Sequence, residues 1–300
     1  EKPAPAAQPA SADAFVGDTE NIDVYLEAVR CWEQLHSKPL DEAVVTEIRK
    51  VFAHMDPTLE GAFQTASAVR TLMQTVDANG RVTFSVVLLE LLVSNSALLA
   101  SEKNVWYAAQ FLRYLDVYVK NFDQIAMLFF KCSTPVLCGV APRTDDGINP
   151  AVPAQKEQID RILLTAKLFA AYCTCPSLRD KTGKGISIIA QWLNSVVLLV
   201  RDHADLPENV MGLIAHVVDV ALVFCGDELL NRARAQEHFR QLVGQISTLL
   251  APRFDPFPSL KLLQVRLKKF SKFLESGKPF SPAYTDFCQE LAALNAGAHE

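Results

Sequence analysis

The chain has no Asn-x-Ser/Thr acceptor and no N-terminal hydrophobic core of the secretory kind, so exported, glycosylated classes lose their usual sequence support. Twelve glycines and 16 prolines in 300 residues are few for a β-sandwich, and the glycines do not fall at hairpin intervals. Helix is the expected class. Seven cysteines, an odd number without regular spacing, build no disulfide framework. Cys31, Cys132, Cys138, Cys173, Cys175, Cys225 and Cys288 sit mostly in apolar runs and read as reduced packing residues. The net charge of −5 and pI near 5.7 give no reason to expect a nucleic-acid partner. Phosphate-loop, nucleophile-elbow, dinucleotide and paired zinc motifs are also missing, so a non-enzyme without a cofactor is expected.

What the chain does have is apolar residues, at 50% of the total, enough for a sizeable core. They concentrate in Thr83–Ser94, Ile125–Ala141, Gly185–Val200 and Val210–Cys225. Each stretch is short or is interrupted by a polar group, Glu90, Lys131, Asn194, His216 or Asp219, which argues against a transmembrane span. They read instead as inner helices covered by amphipathic ones. The expected fold is therefore all-α: stacked helical hairpins forming a superhelix, or an irregular helical bundle.

Residues 1–17 are rich in Pro and Ala and read as a disordered tether. A first helical stack is expected over 18–141, opening after Asp18-Thr19 with Ile22, Tyr25, Leu26, Val29 and Trp32 at helical spacing. Breakers cluster at 142–154, the place for a loop or linker, and a second stack continuous with the first follows over 155–294, with a polar tail at 295–300. Because the first residue is not methionine, a fragment and a processed form both stay open. An intracellular setting is expected, either cytoplasm or an organelle matrix such as the mitochondrial one.

Three segments share an apolar helix, a short break and a more polar helix with an aromatic anchor: LLELLVSNSALLASEKNVWYAAQFL from Leu88, AKLFAAYCTCPSLRDKTGKGISIIAQWL from Ala166, and VDVALVFCGDELLNRARAQEHFRQLV from Val218. With Cys132–Pro135 added, the breaks near 95, 132, 175 and 227 are separated by about 37, 43 and 52 residues, against roughly 40–47 for armadillo and HEAT repeats. Over residues 20–250 the chain thus resembles the armadillo/HEAT class. That resemblance implies hairpins that bury their apolar sides by stacking on neighbours.

Candidate chemistry is sparse. Cys173-Thr174-Cys175 lacks the further ligands of a metal site and reads as a structural thiol pair. His216 and Asp219, one helical turn apart, read either as a ligand or acid–base pair or as a buried histidine held by its carboxylate. Asp77-Ala78-Asn79-Gly80 opens like a calcium loop, but Leu88 stands where the closing glutamate belongs. Thr182-Gly183-Lys184-Gly185 reads as a turn before a helix. Glu90 and Lys131 are isolated charges expected to find partners or the edges of their helices.

One surface feature stands out. In SLKLLQVRLKKFSKFLESGK, Leu260, Leu263, Leu267, Phe270 and Leu274 form an apolar stripe, and Lys261, Arg266, Lys268, Lys269, Lys272 and Lys278 concentrate positive charge on an acidic chain. Such a helix over 259–276 either caps the stack with its stripe inward or docks on an acidic protein or an anionic membrane. The partner- or lipid-binding candidates are Lys261, Arg266, Lys268, Lys269 and Lys272. The leading expectation is a non-catalytic scaffold or accessory subunit of a larger complex. The alternative is a peripheral membrane adaptor.

Overall fold

The computed structural model describes residues 11–36, 39–176, 184–231, 233–254, 261–276 and 280–297. These form twelve α-helices: α1 Thr19–His36, α2 Glu42–Ala53, α3 Leu59–Gln74, α4 Ala78–Ser94, α5 Glu102–Tyr118, α6 Phe122–Ser133, α7 Pro153–Thr174, α8 Lys184–Asp202, α9 Glu208–Asn231, α10 Ala233–Phe254, α11 Lys261–Ser276 and α12 Pro282–Gly297. Short polar side chains fix many of the starts by accepting bonds from open first-turn N–H groups. Asp41 accepts from Ala43 at 2.8 Å, Thr58 from Gly61 at 3.0 Å and Ser101 from Asn104 at 3.1 Å. Asp77 accepts from Gly80 at 2.6 Å, so the calcium-like tetrapeptide is a helix cap.

The fold is all-α and its helices are stacked, as composition and periodicity predict. In one layer α3, α5, α7, α9 and α11 are successive neighbours; α2, α4 and α6, then α8 and α10, lie against them. The layer changes direction midway. Helices α3 and α5 are parallel: Glu290 bonds both Leu59 N and the Tyr107 hydroxyl near their N-termini, and Arg70 lies over Tyr118 near their C-termini. Helices α5 and α7 are antiparallel, because Trp106 near the start of α5 meets Cys175 just past the end of α7. From there α7, α9 and α11 run parallel, with Asp219 opposite Arg266 and Gly226 against Phe270.

The long connection after α6 makes this reversal. The apolar run Ile125–Ala141 does not form one helix: α6 ends at Ser133, a 3₁₀ turn covers Pro135–Cys138, and a strand β2 covers Val140–Pro142. Pro135 and Gly139 explain the break, the glycine having φ 72° and a Cβ position only 2.4 Å from Ser195 Cβ. Strand β2 pairs antiparallel with β1, Phe15–Gly17, so the second half of the expected tether is ordered from Ser11 onward, with Phe15 and Val16 buried. Residues 1–10 lie outside the described residues. A single hydrophobic cluster runs through both halves across the 143–152 loop.

Two assignments of inner and outer helices change places. Helix α5, expected to cover others, is buried continuously from Val105 to Asp116 because α3, α7 and α12 enclose it. Helix α8, expected to be inner, buries only one face, with Asn194 and Leu198 exposed. Helix α9 is inner as expected but longer than its apolar run: at 24 residues it is long and apolar enough to cross a membrane, and 83% of its apolar window is buried inside the fold. Helix α12 lies crosswise over one end of the layer. Asp227 at the end of α9 accepts from Phe280 N and Ser281 N at 2.6 and 2.7 Å, Tyr284 and Phe287 pack on Trp106, and Glu290 reaches the first turn of α3.

Candidate partner-binding surface

Helix α11 closes the layer by burying Leu263, Leu267 and Phe270 against α9 and α10. These three members of its apolar stripe are therefore consumed within the fold. Gly226 permits this contact, since a Cβ there would stand 2.9 Å from the Phe270 ring. Leu260 and Lys278 lie outside the described residues.

The five candidate cations divide into two groups. Arg266 turns inward, its Nε 2.8 Å from Oδ1 of Asp219, whose carboxylate is 3% exposed. Asp219 thus takes Arg266 as its partner and does not form the pair with His216 that their spacing allowed. Lys269 leans toward α12, with Nζ 5.6 Å from the Phe280 ring centroid. Lys261, Lys268 and Lys272 stand exposed, and no carboxylate pairs with them among the described residues. Sharing this outer face are two aliphatic side chains, Leu262 at 54% and Val265 at 62% exposure. Spacings of three and four residues put Leu262, Val265, Lys269 and Lys272 on one side of the helix, flanked by Lys261 and Lys268. The surface is a convex strip of lysines with an aliphatic pair at its N-terminal end. Sequence reading found the lysines but assigned the apolar character to the buried stripe; Leu262 and Val265 fall off that stripe, and their exposure needed the packing of α11 to be seen.

Elsewhere, reactive-looking groups are committed to structure. Burial pushes the Cys173 and Cys132 thiols up to about 12 and Cys138 to about 11, and raises Cys175 and Cys225 further, which suppresses the nucleophilic thiolate at neutral pH. Glu90 accepts from Trp32 Nε1 at 3.4 Å and stands 3.5 Å from His36 Nδ1. Arg113, 7% exposed, bonds the Tyr172 carbonyl at 2.9 Å, stacks on its ring and faces Asp123, pinning α5 to α7 where the layer reverses. Among the described residues no group of three or more His, Cys, Asp or Glu side chains converges as a metal site requires. Residues 177–183, including Thr182 and Gly183 of the Gly-Lys turn, lie outside the described residues; Lys184 and Gly185 begin α8, with Gly185 against the Cys173 carbonyl.

Among the described residues, three cavities that open on the surface bear on function. One of about 310 Å³ lies between α7 and α9 and holds His216 near the Lys156–Asp160 ion pair. A second, of about 440 Å³, is lined by amide, apolar and mixed-charge groups around Trp192 and Gln191. A third, of about 410 Å³, lies where α3, α4 and the α5–α6 junction meet, and its charged lining is wholly basic. No family model matches the chain, and no significant match is found among curated proteins or solved structures.

Proposed function

We propose that this protein is a non-catalytic helical scaffold, an accessory subunit that holds an acidic protein partner on the outer face of α11. The observation that carries the reading is the exposure of Leu262 and Val265 among Lys261, Lys268, Lys269 and Lys272. Aliphatic side chains beside Lys261, Lys268 and Lys272, which have no carboxylate partner among the described residues, favour a partner that supplies both an apolar contact and carboxylates. The row of next-but-one helices supports an armadillo/HEAT-like stack, broken into two short runs of opposite direction by the α6–α7 connection. Commitment of Cys138, Cys173, Cys175, Cys225, Asp219 and Glu90 to packing supports a role in binding over one in catalysis.

A membrane adaptor is the second reading, favoured by the same lysines, which suit anionic headgroups. It is the weaker of the two because Leu263, Leu267 and Phe270, the residues an interfacial helix would insert, are buried against the protein's own core. The test uses the tagged full chain purified from its source cell and cross-linked through lysine. The scaffold reading expects a stoichiometric partner linked to Lys261, Lys268 or Lys272 and lost in Lys261→Glu/Lys268→Glu/Lys272→Glu at unchanged thermal stability. A partner that survives the triple variant, or sedimentation with phosphatidylserine vesicles that the triple variant abolishes in the absence of any protein partner, would overturn it.

A further inference from the structure

The geometry points to a second binding site, independent of the α11 reading: the basic cavity between α3, α4 and the α5–α6 junction takes a small organic anion bearing two or more phosphoryl charges. Arg70 comes from the last turns of α3, Arg81 from the first turn of α4, and Lys120 from the turn before α6. All three face one space of about 410 Å³, within the usual size of a small-molecule site. No acidic residue lines it, and none of the three cations has a carboxylate partner among the described residues. On a chain of net charge −5 with more acidic than basic residues, three uncompensated cations around one concavity require an explanation. Their mutual repulsion is screened by solvent because all three are exposed, but a concave wall focuses their field on the shared space and favours an anion there.

The remaining lining defines the ligand. Arg70 is held over the Tyr118 ring with its Cζ 4.8 Å from the centroid, which orients a guanidinium fork. Two guanidinium groups and an ammonium match the several oxygens of phosphoryl groups better than they match a single carboxylate. The first turns of α4 and α6 both border the space, but Asp77 caps the α4 start and Asp123 lies in the first turn of α6, so the three side-chain cations, not the helix ends, carry the positive charge. Met73, Val82, Val119 and Ile125 supply an apolar wall for the organic part of the ligand. The cations come from three separate elements of the chain, which is why no linear motif announces them.

Isothermal titration of the full chain with inorganic pyrophosphate at low ionic strength tests the assignment, with malonate as the carboxylate control. We expect one pyrophosphate per chain, binding that weakens steeply with added salt, and an affinity about tenfold lower in Arg70→Gln, Arg81→Gln or Lys120→Gln, as loss of one charge-assisted contact implies. Arg81→Lys should recover part of the loss, and the α11 triple variant should bind as the parent does. The three side chains are exposed, so unchanged far-ultraviolet circular dichroism and melting are expected throughout. Absence of binding, malonate binding as tight as pyrophosphate, parent-like binding by the Arg70→Gln/Arg81→Gln/Lys120→Gln variant, or loss of binding in the α11 variant instead would each overturn it.

Discussion

The α3–α6 cavity and the outer face of α11 are both basic regions on an acidic chain, yet one is concave and the other convex. Arg70, Arg81 and Lys120 converge on a shared space, whereas Lys261, Lys268 and Lys272 project from a helix surface beside Leu262 and Val265. Like charge in unlike shape selects unlike ligands. A concave cluster can surround a small anion and strip its water, while a convex strip can be matched only by another extended surface. Both regions also differ from the cations that hold the fold, Arg113 and Arg266, each of which has a carboxylate partner.

The largest expected effect separates those structural cations from the rest. Replacing Arg266 with Ala leaves Asp219, 3% exposed, as a charge without its partner, which should cost about 3 kcal/mol. Replacing Lys261, Lys268 and Lys272 together with Gln should change stability by less than about 0.5 kcal/mol. Urea midpoints measure both. Equal losses would mean that the α11 lysines belong to the fold and that the comparison with the cavity is misdrawn.

A smaller effect concerns the strap that holds the far end of the layer, away from the cavity. Glu290 caps the first turn of α3 and accepts from the Tyr107 hydroxyl, so Glu290→Ala should cost about 2 kcal/mol and loosen α12 without altering pyrophosphate binding. Hydrogen exchange confined to α12 and the first turns of α3 and α5 would bear this out. Exchange spreading to Arg70 or Lys120 would show that the strap and the cavity are coupled, breaking the independence assumed for the two basic regions.

Asp227 supplies a pH-dependent version of the same test. Burial raises its carboxyl above the ordinary value, opposed by the Phe280 and Ser281 N–H groups and by Lys269. The folded state therefore retains this proton more readily than the unfolded chain does. Its stabilising contribution is complete below the ordinary carboxylate range and is lost as pH rises through the raised folded value. Relative to Asp227→Asn, the parent should be most favoured at about pH 4 and progressively less so towards neutrality. Denaturant midpoints across that range check the slope, and the opposite slope would mean that the two N–H bonds outweigh burial.

The sequence made the helices legible because capping residues and three-and-four spacing are local. Asp18-Thr19 marks a start that the structure keeps, Asp18 accepting from Glu20 N at 2.9 Å, and the Val210–Cys225 run locates the most buried long helix. Burial around a helix is not local, and spacing alone does not determine it. The aromatic run Trp106, Tyr107, Phe111 looks like the inner edge of an amphipathic helix until α12 arrives from the other end of the chain and covers its remaining side. The α5–α7 reversal depends on Pro135 and Gly139 within an apolar run that otherwise reads as continuous helix. The lysines of α11 were legible as a charge cluster; the cavity was not, since Arg70, Arg81 and Lys120 are spread over three elements and become one feature only after folding.

The smallest expected effect on stability is the one that bears most directly on the convex surface. Leu262→Ser and Val265→Ser remove side chains that are already 54% and 62% exposed, so little buried apolar area is lost and the pair together should change stability by less than about 0.5 kcal/mol. Their effect on partner binding should be much larger, because burial of these two groups by an acidic partner is what a lysine strip alone cannot provide. Measured against the charge-reversed Lys261→Glu/Lys268→Glu/Lys272→Glu chain, the serine pair should mainly speed dissociation, whereas charge reversal should slow association and weaken its salt dependence. If serine substitution leaves dissociation unchanged while charge reversal alone removes binding, the face acts through charge only, and α11 then differs from the cavity in shape but not in the kind of contact it makes.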